Sequence, residues 1–167
     1  MATLRTTFIL SLAAAIVSAC KPDIAGPEAS LEGLPEGLQV ELVVDPAVVG
    51  PHEPFTARLS VTNTTTSRLT VVTNHGCLAI PHVMRNETRV PFEGSWWGCT
   101  AAITTHVFAP GETRTHTWNM RAELYAEHPG EVDGVAAPRG VYQVRAEFEV
   151  YLPDGRKPAV QHPLEVR

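Results

Sequence analysis

From Leu38 onward, apolar residues recur at every second position. Leu38, Val40, Leu42 and Val44 alternate with Gln39, Glu41 and Val43, and Asp45-Pro46 ends the run. Phe55, Ala57, Leu59 and Val61 alternate with Thr56, Arg58, Ser60 and Thr62. A period of two sends one set of side chains to a buried face and the other to solvent, the pattern of a half-buried strand. Leu69, Val71 and Thr73 predict a third strand, with Thr70 and Val72 on its opposite face. The segment Asn63-Thr64-Thr65-Thr66-Ser67 predicts a turn, because these short polar side chains bond nearby backbone.

The pattern loosens after Asn74. Residues 80–85 and 88–92 predict a hairpin across Asn86-Glu87, and Pro81 and Pro91 place both strands at a sheet edge. Residues 103–108 read as a further strand, followed by a tight turn at Ala109-Pro110-Gly111-Glu112. Along residues 113–120, Arg114, His116, Trp118 and Met120 share one face, with Trp118 and Met120 expected inside. Residues 121–128 fit either a helical turn or a strand tail, and 129–138 a loop. A long strand at 141–151 carries Tyr142, Val144, Ala146, Phe148 and Val150 on one face. Asp154-Gly155 is a hairpin signal before a closing strand at 160–166. About seven to nine short strands, regular turns and no helix predict an all-β fold, an immunoglobulin-like antiparallel β-sandwich over residues 38–167.

Upstream the chain changes character. Residues 1–19 have the parts of a secretory signal: Arg5, an apolar core at residues 8–17 that includes Phe8, Leu10 and Val17, then small residues. The apolar core is too short to span a bilayer, which takes roughly 20 such residues. Val17-Ser18-Ala19-Cys20 resembles a bacterial lipobox. The resemblance implies a diacylglyceryl thioether on Cys20, cleavage after Ala19 and acylation of the new amine. A thiolate is the nucleophile such chemistry needs, and several acyl chains, at about 0.8 kcal/mol per buried methylene, make a stable anchor. The alternative is an ordinary secretory signal in which the cysteine is incidental. Lys21, in place of aspartate, resembles the signal for outer-membrane sorting, so the expected location is the bacterial envelope, on the outer rather than the inner membrane. Residues 20–37, rich in Pro, Gly, Glu and Ala without an apolar period, are expected to form a flexible tether.

Composition adds three points. Fourteen prolines and twelve glycines in a Val- and Thr-rich chain agree with strands and turns. A net charge of −5 without a basic cluster argues against nucleic acid as a partner. Of the three cysteines, Cys20 is assigned to lipid, which leaves Cys77 and Cys99 to pair in an oxidising compartment. Their rival role is a metal site with His75, His82 or His106, against which stands the tight His75-x-Cys77 spacing. No cofactor is expected.

Four segments carry a family resemblance: the strand from Phe55 to Asn63 with its Asn-Thr turn, the Pro110-Gly111-Glu112 turn before a Thr-rich strand, Pro138-Arg139-Gly140-Val141-Tyr142, and the strand that follows. Together they resemble the immunoglobulin-like BsuPI domain, the intracellular proteinase inhibitor family, over roughly residues 38–150. The resemblance implies a β-sandwich and proteinase inhibition. It carries over framework positions and no inhibitory residue. The export signal and the Cys77 and Cys99 pair depart from that family's pattern. Tyr142, placed just after Gly140, is expected to bury its ring and give its hydroxyl to backbone.

Catalytic patterns are missing. Seven histidines have no nucleophile elbow and no His-Glu-x-x-His helix beside them, and the acidic run at 127–134 fits no calcium loop. The chain is therefore expected not to be an enzyme. Trp96 and Trp97 are neighbours in the loop 94–99, so in extended backbone their rings point to opposite sides. One reading exposes a ring as an anchor for a protein partner, a protease in the family's terms. The other uses both rings to cover the core edge. The expected role is non-catalytic protein binding from a lipid anchor, the alternative a structural accessory module of an envelope complex.

Overall fold

The structure is a computed structural model, and it describes residues 28–95, 98–125 and 134–167. The signal segment, Cys20, Trp96, Trp97 and most of the acidic run lie outside the described residues. Eight strands of five residues or more carry the fold: β2 (Leu38–Asp45), β4 (Pro54–Asn63), β5 (Leu69–Thr73), β6 (Ala79–Arg85), β9 (Thr104–Phe108), β10 (Thr113–Leu124), β12 (Gly140–Phe148) and β13 (Ala159–Val166). Five ladders of two or three residues complete it: β1 (Glu28–Ser30), β3 (Val48–Val49), β7 (Thr88–Val90), β8 (Phe92–Glu93) and β11 (Val135–Ala136).

Two sheets face each other. One has the order β1-β13-β12-β6-β7, with β3 added to β13 in parallel; the other runs β11-β10-β4-β2, with β8 on β10. β2 and β4 form a hairpin in one sheet, β12 and β13 form one in the other, the chain crosses between the sheets elsewhere, and the short early β3 lies parallel on the last strand, the arrangement of an immunoglobulin-like sandwich. The alternating residues fill the space between. Leu42, Val44, Phe55, Ala57, Leu59, Val61, Trp118 and Met120 meet Val83, Tyr142, Val144, Ala146, Phe148 and Leu164, all buried. Phe92 links the layers, edge-on to Phe55 at 6.2 Å and to Tyr142 at 5.0 Å between centroids. The Tyr142 hydroxyl donates to the Pro138 carbonyl at 2.5 Å, which makes the expected tyrosine corner.

Two expectations change, and of the two readings of residues 121–128 the strand tail holds for 121–124. The sandwich begins before Leu38: β1 pairs with β13 through Glu28↔Gln161, Ala29↔Val160 and Ser30↔Ala159, and Leu31 and Leu34 pack on the core. Three backbone pairings and two leucines order a segment whose composition alone reads as spacer. Second, β6 is not an edge strand, since it lies between β12 and β7. Pro81 is tolerated because β7 reaches only to the level of Val83, which leaves Pro81 with a strand on one side. Residues 121–124 continue β10 as strand, with Ala122 buried and bonded to Glu53 and Ala137.

Candidate functional site: the disulfide pole

One end of the sandwich gathers four segments: the loop 74–78, the strap 98–103, the two-stranded ribbon β5–β9, and the long connection 149–158 between β12 and β13. Cys77 and Cys99 are joined here as a disulfide, with Cα atoms 5.5 Å apart. Both cysteines are half-buried. Beside the bridge, the Gly76 amide donates to the Thr100 carbonyl at 2.8 Å. A Cβ on Gly76 would stand 2.1 Å from Thr100 Oγ1, so a larger residue there needs the Thr100 side chain to rotate away.

Glu149 ties these segments together. Its amide donates to Leu78 O, and its carbonyl accepts from the Asn74 amide. Its carboxylate is 1% exposed. Oε1 accepts from Lys157 Nζ at 2.9 Å, while Oε2 faces His75 Nε2 at 3.6 Å, beyond hydrogen-bond length. Burial works to lower the Lys157 pKa, but the bond to Glu149 and the neighbouring Tyr151 outweigh it and raise the value, so the ammonium stays charged. Nearby, Thr73 Oγ1 donates to the His75 carbonyl and lies 3.1 Å from His106 Nε2. Burial, Arg114 and His116 all hold the His106 pKa below its ordinary value.

The ribbon exposes an apolar face. The register Val72↔Thr105 and Thr70↔Val107 puts these four residues on one side, with Val71 and Phe108 buried on the other. Val72 is 53% exposed and Val107 41%. Ile103, which follows the disulfide strap with the same parity as Thr105 and Val107, is 76% exposed. A large aliphatic side chain left that open forgoes roughly 1.5–3 kcal/mol of burial, which a partner surface recovers.

The predicted residues divide as follows. Cys77 and Cys99 meet, and both sulfurs are consumed, so neither is available to a metal with His75, His82 or His106. Those histidines are also apart: His75 faces Glu149, His106 faces Thr73, and His82 lies 3.6 Å from Glu147 on the outer face of the β12 sheet. Among the described residues no group of three or more His, Cys, Asp or Glu side chains is placed to hold an ion. Val72 lies on the outward face that its pattern gave it, while Ile103 and Val107 were not legible as surface residues. The run Ile103, Thr105, Val107 alternates with His106 and Phe108, so both faces of β9 carry apolar groups, and the pattern alone does not say which is covered.

No family model matches the chain, and no curated protein matches it. Among solved structures, it is similar to a β-glucosidase from Listeria innocua in complex with glucose at 13% identity and TM-score 0.41, over 77% of this chain and 16% of that one. A β-glucosidase from Erythrobacter marinus gives 10% identity and TM-score 0.43, over 78% of this chain and 16% of that one. An alkylpurine DNA glycosylase from Pseudomonas fluorescens, bound to DNA, gives 12% and 0.41, over 81% and 32%. The chain spans less than a third of the length of each. Likenesses this distant assign it neither an activity nor a partner.

Proposed function

We propose that this chain is a lipid-anchored protein of the bacterial envelope whose β-sandwich binds another protein at the disulfide pole. The observation that carries the reading is the exposed apolar face of Val72, Val107 and Ile103, held beside a disulfide and a buried ion pair. An isolated exposed valine means little, but three large aliphatic residues exposed on one side of a braced ribbon are the kind of surface that marks a protein contact. In the sequence, Trp96 and Trp97 stand three and two residues before Cys99, outside the described residues. The lipobox resemblance at Cys20 supplies the anchor. The BsuPI resemblance supplies the partner class, a protease, inhibited without chemistry by this protein.

The test is a panel of serine proteases assayed with the purified mature chain and with two variants, Ile103→Asp and the double Trp96→Ala, Trp97→Ala. Inhibition of at least one protease, lost at least tenfold in Ile103→Asp at unchanged Tm, is the expected result. If no protease in the panel is slowed, the inhibitor reading fails and the accessory-module reading takes its place.

A further inference from the structure

Building on the inhibitor reading above, we infer that residues 100–103 are the segment offered to the protease and that Ile103 fills its primary pocket, which makes the partner an elastase-type enzyme with a small apolar pocket.

The strap is an arch with both feet on one short segment. At one foot Cys99 is bonded to Cys77, and the Thr100 carbonyl accepts from the Gly76 amide at 2.8 Å. At the other, Thr104 is paired with Thr73 at the end of the β5–β9 ladder. The feet thus stand within residues 73–77. Between them Thr100, Ala101, Ala102 and Ile103 are all exposed, while Cys99 and Thr104 are half-buried. Two bonds inside the arch fix its shape: the Ala102 amide donates to the Thr100 carbonyl at 2.8 Å, and the Thr104 hydroxyl donates to the Ala102 carbonyl at 3.0 Å. The segment under the arch is held as well. The Asn74 amide donates to the Glu149 carbonyl, and the Thr73 hydroxyl to the His75 carbonyl. A loop ordered before contact gives up little conformational freedom on binding, so more of its contact energy appears as affinity.

The side chains on the arch set the class of pocket. No Asp, Glu, Lys or Arg occurs between Glu93 and Glu112, so the strap has no cation for the acidic pocket of a trypsin-type enzyme. Ile103, at 76%, is the most exposed large apolar side chain among the described residues. Ala101 and Ala102 beside it carry one methyl each, which leaves room for the walls of a cleft to close on the isoleucine. A branched aliphatic group suits a small apolar pocket, and in serine proteases that pocket sets the choice of side chain. The exposed hairpin at 153–157 is different in kind. There Arg156 pairs with Asp154 at 2.5 Å and with Glu32 at 3.3 Å, so its charges are engaged within the molecule.

The experiment measures inhibition constants of the full mature chain, and of Ile103→Val and Ile103→Arg, against an elastase, a chymotrypsin and a trypsin. The expected result is inhibition of the elastase, kept within about tenfold in Ile103→Val and lost by roughly a hundredfold in Ile103→Arg, which inhibits the trypsin in exchange. An unchanged Tm in both variants shows that the exposed position leaves the fold intact. Elastase inhibition that survives Ile103→Arg, or its loss with no gain against the trypsin, overturns the assignment of Ile103. Inhibition by the native chain of the trypsin or the chymotrypsin but not the elastase overturns the pocket class while the inhibitor reading stands. If no protease is slowed at all, here or in the wider panel, the inhibitor reading itself falls.

Discussion

Asn63 shows how much one polar residue can hold. Its side chain is fully buried, with Nδ2 donating to the carbonyls of Ser67, Phe108 and Ala109, and Oδ1 accepting from the Thr65 amide and hydroxyl. It thereby fixes the turn after β4 to the turn before β10. Replacing it with alanine strands several backbone groups at once, each worth about 0.5–1.5 kcal/mol. Asn63→Ala should cost about 2–4 kcal/mol in urea unfolding, and Asn63→Asp, which keeps the acceptor and loses the donor, should recover only part of it. The Asn-Thr turn was visible in the sequence from the side-chain chemistry of its residues. The reach from Asn63 to Phe108 and Ala109 was not, because those partners lie 45 and 46 positions away. Glu149 is the same case in sharper form. An acidic residue at the end of an apolar strand reads as solvent-facing, and only the fold brings Lys157, Leu78 and Asn74 around it.

At the scale of elements, the long alternating strands were legible because a period of two needs no knowledge of neighbours. Residues 38–44, 55–62 and 142–148 lie as their patterns indicate. Short ladders were not legible. β1 has three residues and is ordered by β13, and β11 has two and is ordered by β10, so each is a product of tertiary pairing rather than local preference. The disulfide acts at this scale as well. It closes a loop of sequence separation 22 that contains β6, β7 and β8. Removing it through Cys77→Ser and Cys99→Ser together should lower stability by about 3 kcal/mol. Hydrogen exchange should rise first at Gly76, whose amide bonds to Thr100 across the bridge, while β4 and β12 amides stay protected; uniform loss of protection would count against this local role.

For the molecule as a whole, three histidines set the response to acid. His82, His106 and His116 all have pKa values below the ordinary 6.5, with burial the largest cause in each. For His82, Glu147 and Glu149 pull the value up while Arg89 and Lys157 push it down; for His106 and His116, Arg114 pushes it further down. The native state therefore favours the neutral rings. Above pH 6.5 both states are neutral and the full contribution is present. As the pH falls below 6.5, the unfolded chain takes up protons that the folded one refuses, and stability declines until the lowered values are passed. The urea midpoint should fall between pH 7 and pH 5, and His82→Gln should flatten that slope. A midpoint that is constant or rises over this interval contradicts the assignment.

Among the described residues, β13 has no partner strand opposite His162–Leu164 on its outer edge, between β1 and β3. Bare strand margins recruit strands of other molecules. Here the margin is chemically capped. Pro163 has no N–H to offer, and its carbonyl lies 2.8 Å from the His162 ring nitrogen Nδ1. A strand of another molecule that approached this margin would meet a backbone position that lacks its N–H and has its carbonyl engaged.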